Sequence, residues 1–195
     1  MSPDTFLLIG LGNPGREYRD NRHNFGFMVI DQLAIRLGAR GMKLQSKAIV
    51  TTAGYEGRKL LLAKPQTYMN LSGQSIQGLA NFYKLPLDQL MVAHDDLDLP
   101  FGSIRIRPGG GPGGQKGVAS AIERLGTKDF ARLRLGIGRP PGRMDPADYV
   151  LQNFSREEMK LLLEILGQAA DAALCFVMEG LDKTMNKFNG EVKQA

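Results

Sequence analysis

Apolar residues in this chain alternate between short unbroken runs and stretches with helical spacing. Residues 6–11 form a continuous apolar run that reads as a buried strand. Apolar positions then recur at Phe25, Met28, Val29, Leu33 and Leu37, which predicts an amphipathic helix stopped by Gly38. Residues 48–55 and 59–63 read as strands joined by Glu56-Gly57-Arg58, a hairpin signal, with Pro65 ending the second. A helix is expected from Ser72 or Gly73 to Phe82, and a short apolar strand over 90–94. Residues 103–107 alternate, with basic side chains on one face. Residues 109–114 are a glycine-rich loop leading into a helix over 118–125, and 131–137 is a further strand. Residues 140–146 read as a loop, followed by one or two helices between 156 and 187. Strands alternating with helices predict a layered α/β domain, and the hairpin makes its sheet mixed. No repeat, long linker or second domain interrupts the pattern, so residues 1–195 are expected to form one domain.

Composition narrows the class. Hydrophobic residues at 43% and charged residues at 23% are ordinary for a globular domain. No apolar stretch approaches the ~20 residues of a membrane span, so no membrane partner is expected. The N-terminal Met-Ser-Pro-Asp-Thr has no basic region followed by an apolar core, so no secretory signal is expected. The single cysteine, Cys175, excludes an internal disulfide, suits a reducing cytoplasm, and sits in an apolar pattern that predicts a buried thiol. The net charge of +5 is unevenly distributed: residues 101–143 carry nine basic against two acidic side chains, whereas 144–195 carry five against nine. That basic block points to a polyanionic partner, most simply nucleic acid.

Candidate chemistry begins in segment 10–24, where an apolar strand delivers Asn13, Tyr18, His23 and Asn24 into a glycine-rich turn. Gly10-Leu-Gly12-Asn-Pro-Gly15 matches a dinucleotide-binding pattern. However, Pro14 interrupts the turn, the apolar helix is delayed to Phe25, and no strand ends in an acid about twenty positions on. His23 can cap or pack, or act as a base if a carboxylate orients it and donors await an oxyanion. Asp95, Asp96 and Asp98 follow an apolar strand, where open α/β sheets place their sites, and Asn70 lies in a loop entering a helix. The same acids could hold magnesium, but two histidines and one cysteine give little for zinc. Alternation places His94 on the opposite face from Asp95, so His94 is expected to be structural. Segment 109–114 resembles a phosphate nest but not a Walker A loop, because Gln115 precedes Lys116 and no Ser or Thr follows.

Taken in order, these blocks resemble bacterial-type peptidyl-tRNA hydrolase. The resemblance rests on Gly-Leu-Gly-Asn-Pro-Gly15 with Tyr18 and Arg22-His-Asn24, on Lys64-Pro-Gln-Thr-Tyr-Met-Asn-Leu-Ser-Gly73, and on His94-Asp-Asp-Leu-Asp-Leu-Pro-Phe-Gly102. The glycine loop and Arg132-Leu-Arg-Leu-Gly-Ile-Gly138 extend it. The resemblance implies a three-layer α/β/α sandwich around a mixed, mostly parallel sheet, monomeric and cytoplasmic. It also implies an esterase without metal or cofactor that cleaves peptide from the terminal ribose of tRNA, recycling tRNA from prematurely released peptidyl-tRNA. On this resemblance His23 is the base that activates water and Asp95 orients it. Asn13 contacts the peptide, Asn70 positions the carbonyl or water, and Tyr18 and Tyr68 line the cleft. Arg105, Arg107 and Arg134, with Arg143 behind them, are the candidates for the acceptor-stem backbone. One departure is visible: the family commonly has His-Asn-Gly after the glycine loop, where this chain has Gln115-Lys-Gly117. Lys116 is therefore expected to grip phosphate or carbonyl oxygens. A non-catalytic RNA-binding relative of the same fold is the competing reading; the presence of His23, Asp95, Asn13 and Asn70 argues against it. A nucleotide-binding enzyme built on the two glycine loops is the third.

Overall fold

Residues 4–191 are described by a computed structural model of the chain; the expectation for the first three residues lies outside that range. In chain order the elements are β1 Thr5–Gly10, α1 Phe25–Arg36, β2 Arg40–Gln45, β3 Ala48–Tyr55, β4 Arg58–Pro65, α2 Ser72–Tyr83 and β5 Leu90–Asp96. They continue with β6 Ser103–Arg107, α3 Lys116–Leu125, β7 Ala131–Gly136, α4 Pro146–Val150, α5 Arg156–Glu179, α6 Leu181–Phe188 and β8 Gly190–Glu191. The strands form one eight-stranded sheet in the order β2-β3-β4-β1-β5-β7-β6-β8. Strands β4, β1, β5 and β7 pair in parallel, and antiparallel pairs extend both flanks. Only β3 and β6 run against the common direction, which makes the sheet mixed and mostly parallel.

Alternation along the central strands divides the core in two. Phe6 and Leu8 of β1, with Leu62, Met91 and Leu133, face Phe25, Val29 and Leu33 of α1 and Ala169, Ala173 and Phe176 of α5. Leu7 and Ile9, with Leu61 and Val92, face Ile76 and Leu79 of α2 and Val118 and Ala121 of α3. Both faces of the parallel strands are therefore covered, and a fully buried Phe25 or Leu33 contributes ~1.5–3 kcal/mol each. The result is a three-layer α/β/α sandwich.

Four local expectations change. Strand β2 was not anticipated, because its Arg-Gly-Met-Lys-Leu-Gln is an exposed edge with Met42 and Leu44 facing solvent. The loop expected over 140–146 is present as far as Asp145, but it is followed by a helix that was not anticipated, α4, signalled by Asp145 as N-cap and Pro146 in the first turn. Helix α5 is long and apolar enough by length and composition to cross a membrane, contrary to the expectation. Its apolar side, however, is built into the core against α1 and the sheet. Cys175 on that helix is half-buried rather than buried, with its Sγ 3.6 Å from Glu179 Oε1.

The glycines of segment 10–24 serve packing. A Cβ on Gly10 would lie 2.0 Å from Gly26 O, and one on Gly26 would lie 2.3 Å from Ala93 O and 2.5 Å from Leu11 N. These two glycines let α1 start almost in contact with the ends of β1 and β5, which fixes the height of the residues just before α1. Gly26→Ala is expected to cost ~1–3 kcal/mol by overpacking. Its Tm should fall by roughly 2–12 °C, at ~2–4 °C per kcal/mol. Gly167→Ala on α5, where a Cβ meets nothing within 4 Å, is the control and should hold or raise Tm. Equal melting of the two variants in a calorimetric scan would contradict the close-approach account.

Candidate active site

Parallel sheets open a crevice beyond their carboxyl ends where successive crossovers leave in opposite directions. Here the chain leaves β1 through α1 on one face and leaves β4 through α2 on the other. The ends of β1, β4 and β5 accordingly surround a cleft of about 570 Å³ lined by Asn13, His23, Tyr68, Met69, Asn70, Asp95, Gln115 and Lys116, among others. That volume lies within the ~300–1,000 Å³ usual for ligand sites.

His23 sits in a one-turn 3₁₀ helix, Arg22–Asn24, that runs directly into α1. Its Nδ1 is 2.9 Å from Asp95 Oδ2, and both residues are buried. An ionised carboxylate can only accept, so Nδ1–H donates and Nε2 is left as the acceptor of a ring that lines the cleft. Asp95 Oδ1 accepts a second bond from Gln115 Nε2 at 3.0 Å, while Gln115 Oε1 caps α3 by accepting from Val118 N at 2.9 Å. The cap decides which end of the Gln115 amide faces Asp95.

Asn13 is locked on the other side of the cleft. Its Oδ1 accepts from Met69 N at 2.8 Å, its backbone N donates to Asn24 Oδ1 at 2.9 Å, and Asn24 Nδ2 donates back to Asn13 O at 2.9 Å. With Oδ1 engaged, Asn13 presents its Nδ2–H donors. Asn70, in the 3₁₀ turn Met69–Leu71 ahead of α2, is exposed and lines the same cleft. Beside it Tyr68 is 63% exposed and forms part of the wall. Lys116, the first residue of α3, also faces the cleft and is exposed.

Arg22 holds the His23 turn from behind. Its guanidinium donates to Asn153 O at 2.6 Å and Glu158 Oε2 at 2.7 Å and lies over the Tyr149 ring, 4.4 Å from its centre. Asn21 Nδ2 adds bonds to Leu151 O at 2.6 Å and Asn153 Oδ1 at 2.7 Å. The turn is thereby fastened to α4 and the start of α5. Asn21 and Arg22, the two residues before His23, are thus the anchors of the base.

Several candidates stand elsewhere. Tyr18 is half-buried in the turn Arg16–Tyr18 and is not among the residues lining the cleft, contrary to the expected pairing with Tyr68. Arg134 was expected to face phosphate, yet its side chain is only 14% exposed and its Nε donates to Asp96 Oδ2 at 2.6 Å. Arg105 and Arg107 are exposed on β6, in register with Arg134 and Arg132 of β7. Arg132 is buried and donates to the carbonyls of Gly110 and Gly111 at 2.5 and 2.7 Å, which ties down the glycine loop. Arg143 is exposed and outside the cleft.

His94 is buried on the opposite side of β5 from Asp95. Burial holds its pKa below the usual 6.5, with backbone and carboxylate neighbours at Asp95 opposing that shift. Its Nδ1 lies 2.8 Å from Asp95 O, and Nε2 has no partner among the described residues, which is the environment of a neutral, structural imidazole. The three acids diverge: Asp95 goes to His23, Asp96 to Arg134 and Asp98 to Arg139. Among the described residues no group of three or more His, Cys, Asp or Glu side chains is arranged to hold a metal ion.

The residues that sequence reasoning missed are Gln115 and the anchoring pair Asn21 and Arg22. Gln115 stood out only as a departure from the family pattern. Its position one residue before a helix is an N-cap signal, but nothing local announces a bond to an acid 20 positions away.

Comparison with known proteins agrees with this architecture. The family model described as Peptidyl-tRNA hydrolase matches residues 7–195. The peptidyl-tRNA hydrolase of Mycobacterium marinum is 51% identical over 185 residues, covering 94% of this chain and 97% of that protein. That of Pseudarthrobacter chlorophenolicus is 46% identical over 188 residues, covering 95% and 96%. A crystal structure of peptidyl-tRNA hydrolase from Acinetobacter baumannii superposes with a TM-score of 0.89 at 34% identity, covering 98% of this chain and 97% of that one.

Proposed function

The chain belongs to the peptidyl-tRNA hydrolase family and is a hydrolase, and on that premise we propose that it cleaves the ester between a peptide and the 3′-terminal ribose of tRNA with His23 as general base. The observation that carries the reading is the buried His23–Asp95 pair, with Nδ1 donating and Nε2 available at the cleft wall. Water approaching the ester carbonyl gives its proton to Nε2 while its oxygen bonds to the carbonyl carbon. Asp95 stabilises the imidazolium that forms. The tetrahedral oxyanion then collapses, the carbon–ribose oxygen bond breaks, and His23 returns the proton to the leaving ribose oxygen. The products are a peptide carboxylate and tRNA with a free hydroxyl. Asn70 is positioned to donate to the oxyanion or hold the carbonyl, and a single such donor is worth ~10²–10³-fold.

Asn13 gives the site its choice of substrate. Met69 N holds its oxygen, which fixes the amide's orientation and leaves its Nδ2–H donors for substrate. Those donors match the acyl carbonyl of a blocked amino group and oppose the N–H donors of a free ammonium. Purified protein is therefore expected to cleave N-acetylaminoacyl-tRNA at least ~10-fold faster than unblocked aminoacyl-tRNA, the scale of ~1.4 kcal/mol. Equal rates on both, measured side by side, would defeat the discrimination.

The RNA grip follows from charge. Arg105 and Arg107 are exposed opposite Arg134 and Arg132 on one sheet face; Asp96 already pairs Arg134, so the charge left for an external anion is that of Arg105 and Arg107. Phosphates of the acceptor stem supply that anion without any reading of sequence. Arg105 and Arg107 lead this contact, and Arg134 acts behind them, held by Asp96. Lys116 at the start of α3 runs against the helix dipole, an arrangement suited to a phosphate or carbonyl oxygen near the ester. Action as a monomer in the cytoplasm, where charged tRNA is used, completes the proposal.

A further inference from the structure

Gln115 joins the start of α3 to the His23–Asp95 pair. Its oxygen is the N-cap of α3, and its nitrogen donates to the one carboxylate that holds His23. The side chain is buried, and its Nε2 also lies 3.3 Å from Met69 Sδ, the residue whose backbone N fixes Asn13. Because Val118 N–H takes the amide oxygen, the amide cannot flip without breaking the cap. Asp95 therefore always meets a donor on Oδ1, which leaves Oδ2 for His23.

We propose that Gln115 is a positioning residue for the hydrolysis: its cap-locked amide fixes the Asp95 carboxylate and so keeps the proton of His23 on Nδ1. This rests on the reading of His23 as base. Gln115 works through Asp95 and needs no contact with the ester. An uncharged donor also holds Asp95 without adding a titrating group to the dyad.

Gln115→Glu separates the two jobs. The introduced carboxylate still accepts from Val118 N, so the cap and the fold are retained, but it faces Asp95 with an acceptor. At pH 8 kcat should fall about 10-fold or more with KM within about 2-fold, on the scale of a misdirected general base. Asp95→Asn supplies the converse. Alone, its amide must turn its oxygen to Gln115 and its nitrogen to His23. Combined with Gln115→Glu, that nitrogen can donate to the new carboxylate and the oxygen returns to His23. The double variant should then be about 10-fold or more faster than Asp95→Asn alone.

The experiment measures kcat and KM for the parent, His23→Ala, Asp95→Asn, Gln115→Glu and the double variant on N-acetylaminoacyl-tRNA, with circular dichroism as the check on folding. A Gln115→Glu enzyme within 2-fold of the parent at pH 8, or a double variant no faster than Asp95→Asn, overturns the role of Gln115. If His23→Ala itself turns over like the parent, the base assignment fails and this inference fails with it. If His23→Ala is inactive and Gln115→Glu is normal, only the inference about Gln115 is lost.

Discussion

Replacing His23 by alanine is expected to lower kcat on N-blocked aminoacyl-tRNA by ~10²–10⁴-fold, the usual contribution of a positioned base. KM should stay within about 2-fold, because Arg105 and Arg107, the proposed phosphate contacts, lie on β6 outside the cleft. The alternative role for a buried histidine at the start of a helix is packing, and that role predicts a different result. Among the described residues the His23 ring has one polar bond, to Asp95, and it stands at the wall of an open cleft into which water can follow. Asp95 keeps the amide of Gln115 after the substitution, so the carboxylate is not left without a partner. The variant should therefore fold and bind tRNA yet scarcely turn over. Parallel loss of kcat and of the folded circular dichroism signal would instead assign His23 to structure.

Asp95→Asn is the second large effect, again ~10²–10⁴-fold in kcat. The size is that of catalytic dyads in which an Asp-to-Asn change inverts the imidazole tautomer, up to about 10⁴-fold in serine proteases. Here the direction follows from two fixed neighbours. Gln115 can only donate toward position 95, because its oxygen is held by Val118 N. An asparagine must answer with its oxygen and is left with an N–H aimed at His23 Nδ1. Nδ1 then becomes the acceptor, the ring proton moves to Nε2, and the atom facing the water can no longer take a proton. The opposite amide orientation sets two donors against each other at Gln115. Either way the base is disabled while the side-chain volume is unchanged, so stability should move far less than rate. Steady-state kinetics beside thermal unfolding checks both halves, and unchanged kcat would remove Asp95 from the mechanism.

How much of this was legible in the sequence depends on whether a feature is periodic or long-range. The buried strands and amphipathic helices carry their periods openly, so β1, β5, β7, α1 and the layered class were readable from runs and spacings. Strand ends followed from them, which put Asp95 and Asn70 at the site before any contact was known. The pairing of Asp95 with His23 crosses 72 positions and came only through family resemblance, since no local pattern encodes it. Strand β2 escaped because an exposed edge needs no apolar alternation. The ion pair of Arg134 was not foreseen because a guanidinium's net charge says nothing of whether a carboxylate such as Asp96 already holds it. Tyr18 shared a motif with His23 but not a direction: a 3₁₀ turn lies between the glycines and the base. The glycines themselves were read first as a candidate nucleotide turn, and their real constraint, the approach of Gly10 to Gly26, belongs to the packing of α1.

The most direct measurement is product analysis of N-acetylaminoacyl-tRNA incubated with excess purified protein in EDTA. Hydrolysis at the His23–Asp95 pair predicts N-acetyl amino acid and tRNA in equal amounts, the tRNA with an intact 3′ end that can be charged again. Recovery of tRNA that is bound to the protein but still esterified would contradict the account and leave the chain an RNA-binding relative of the hydrolases.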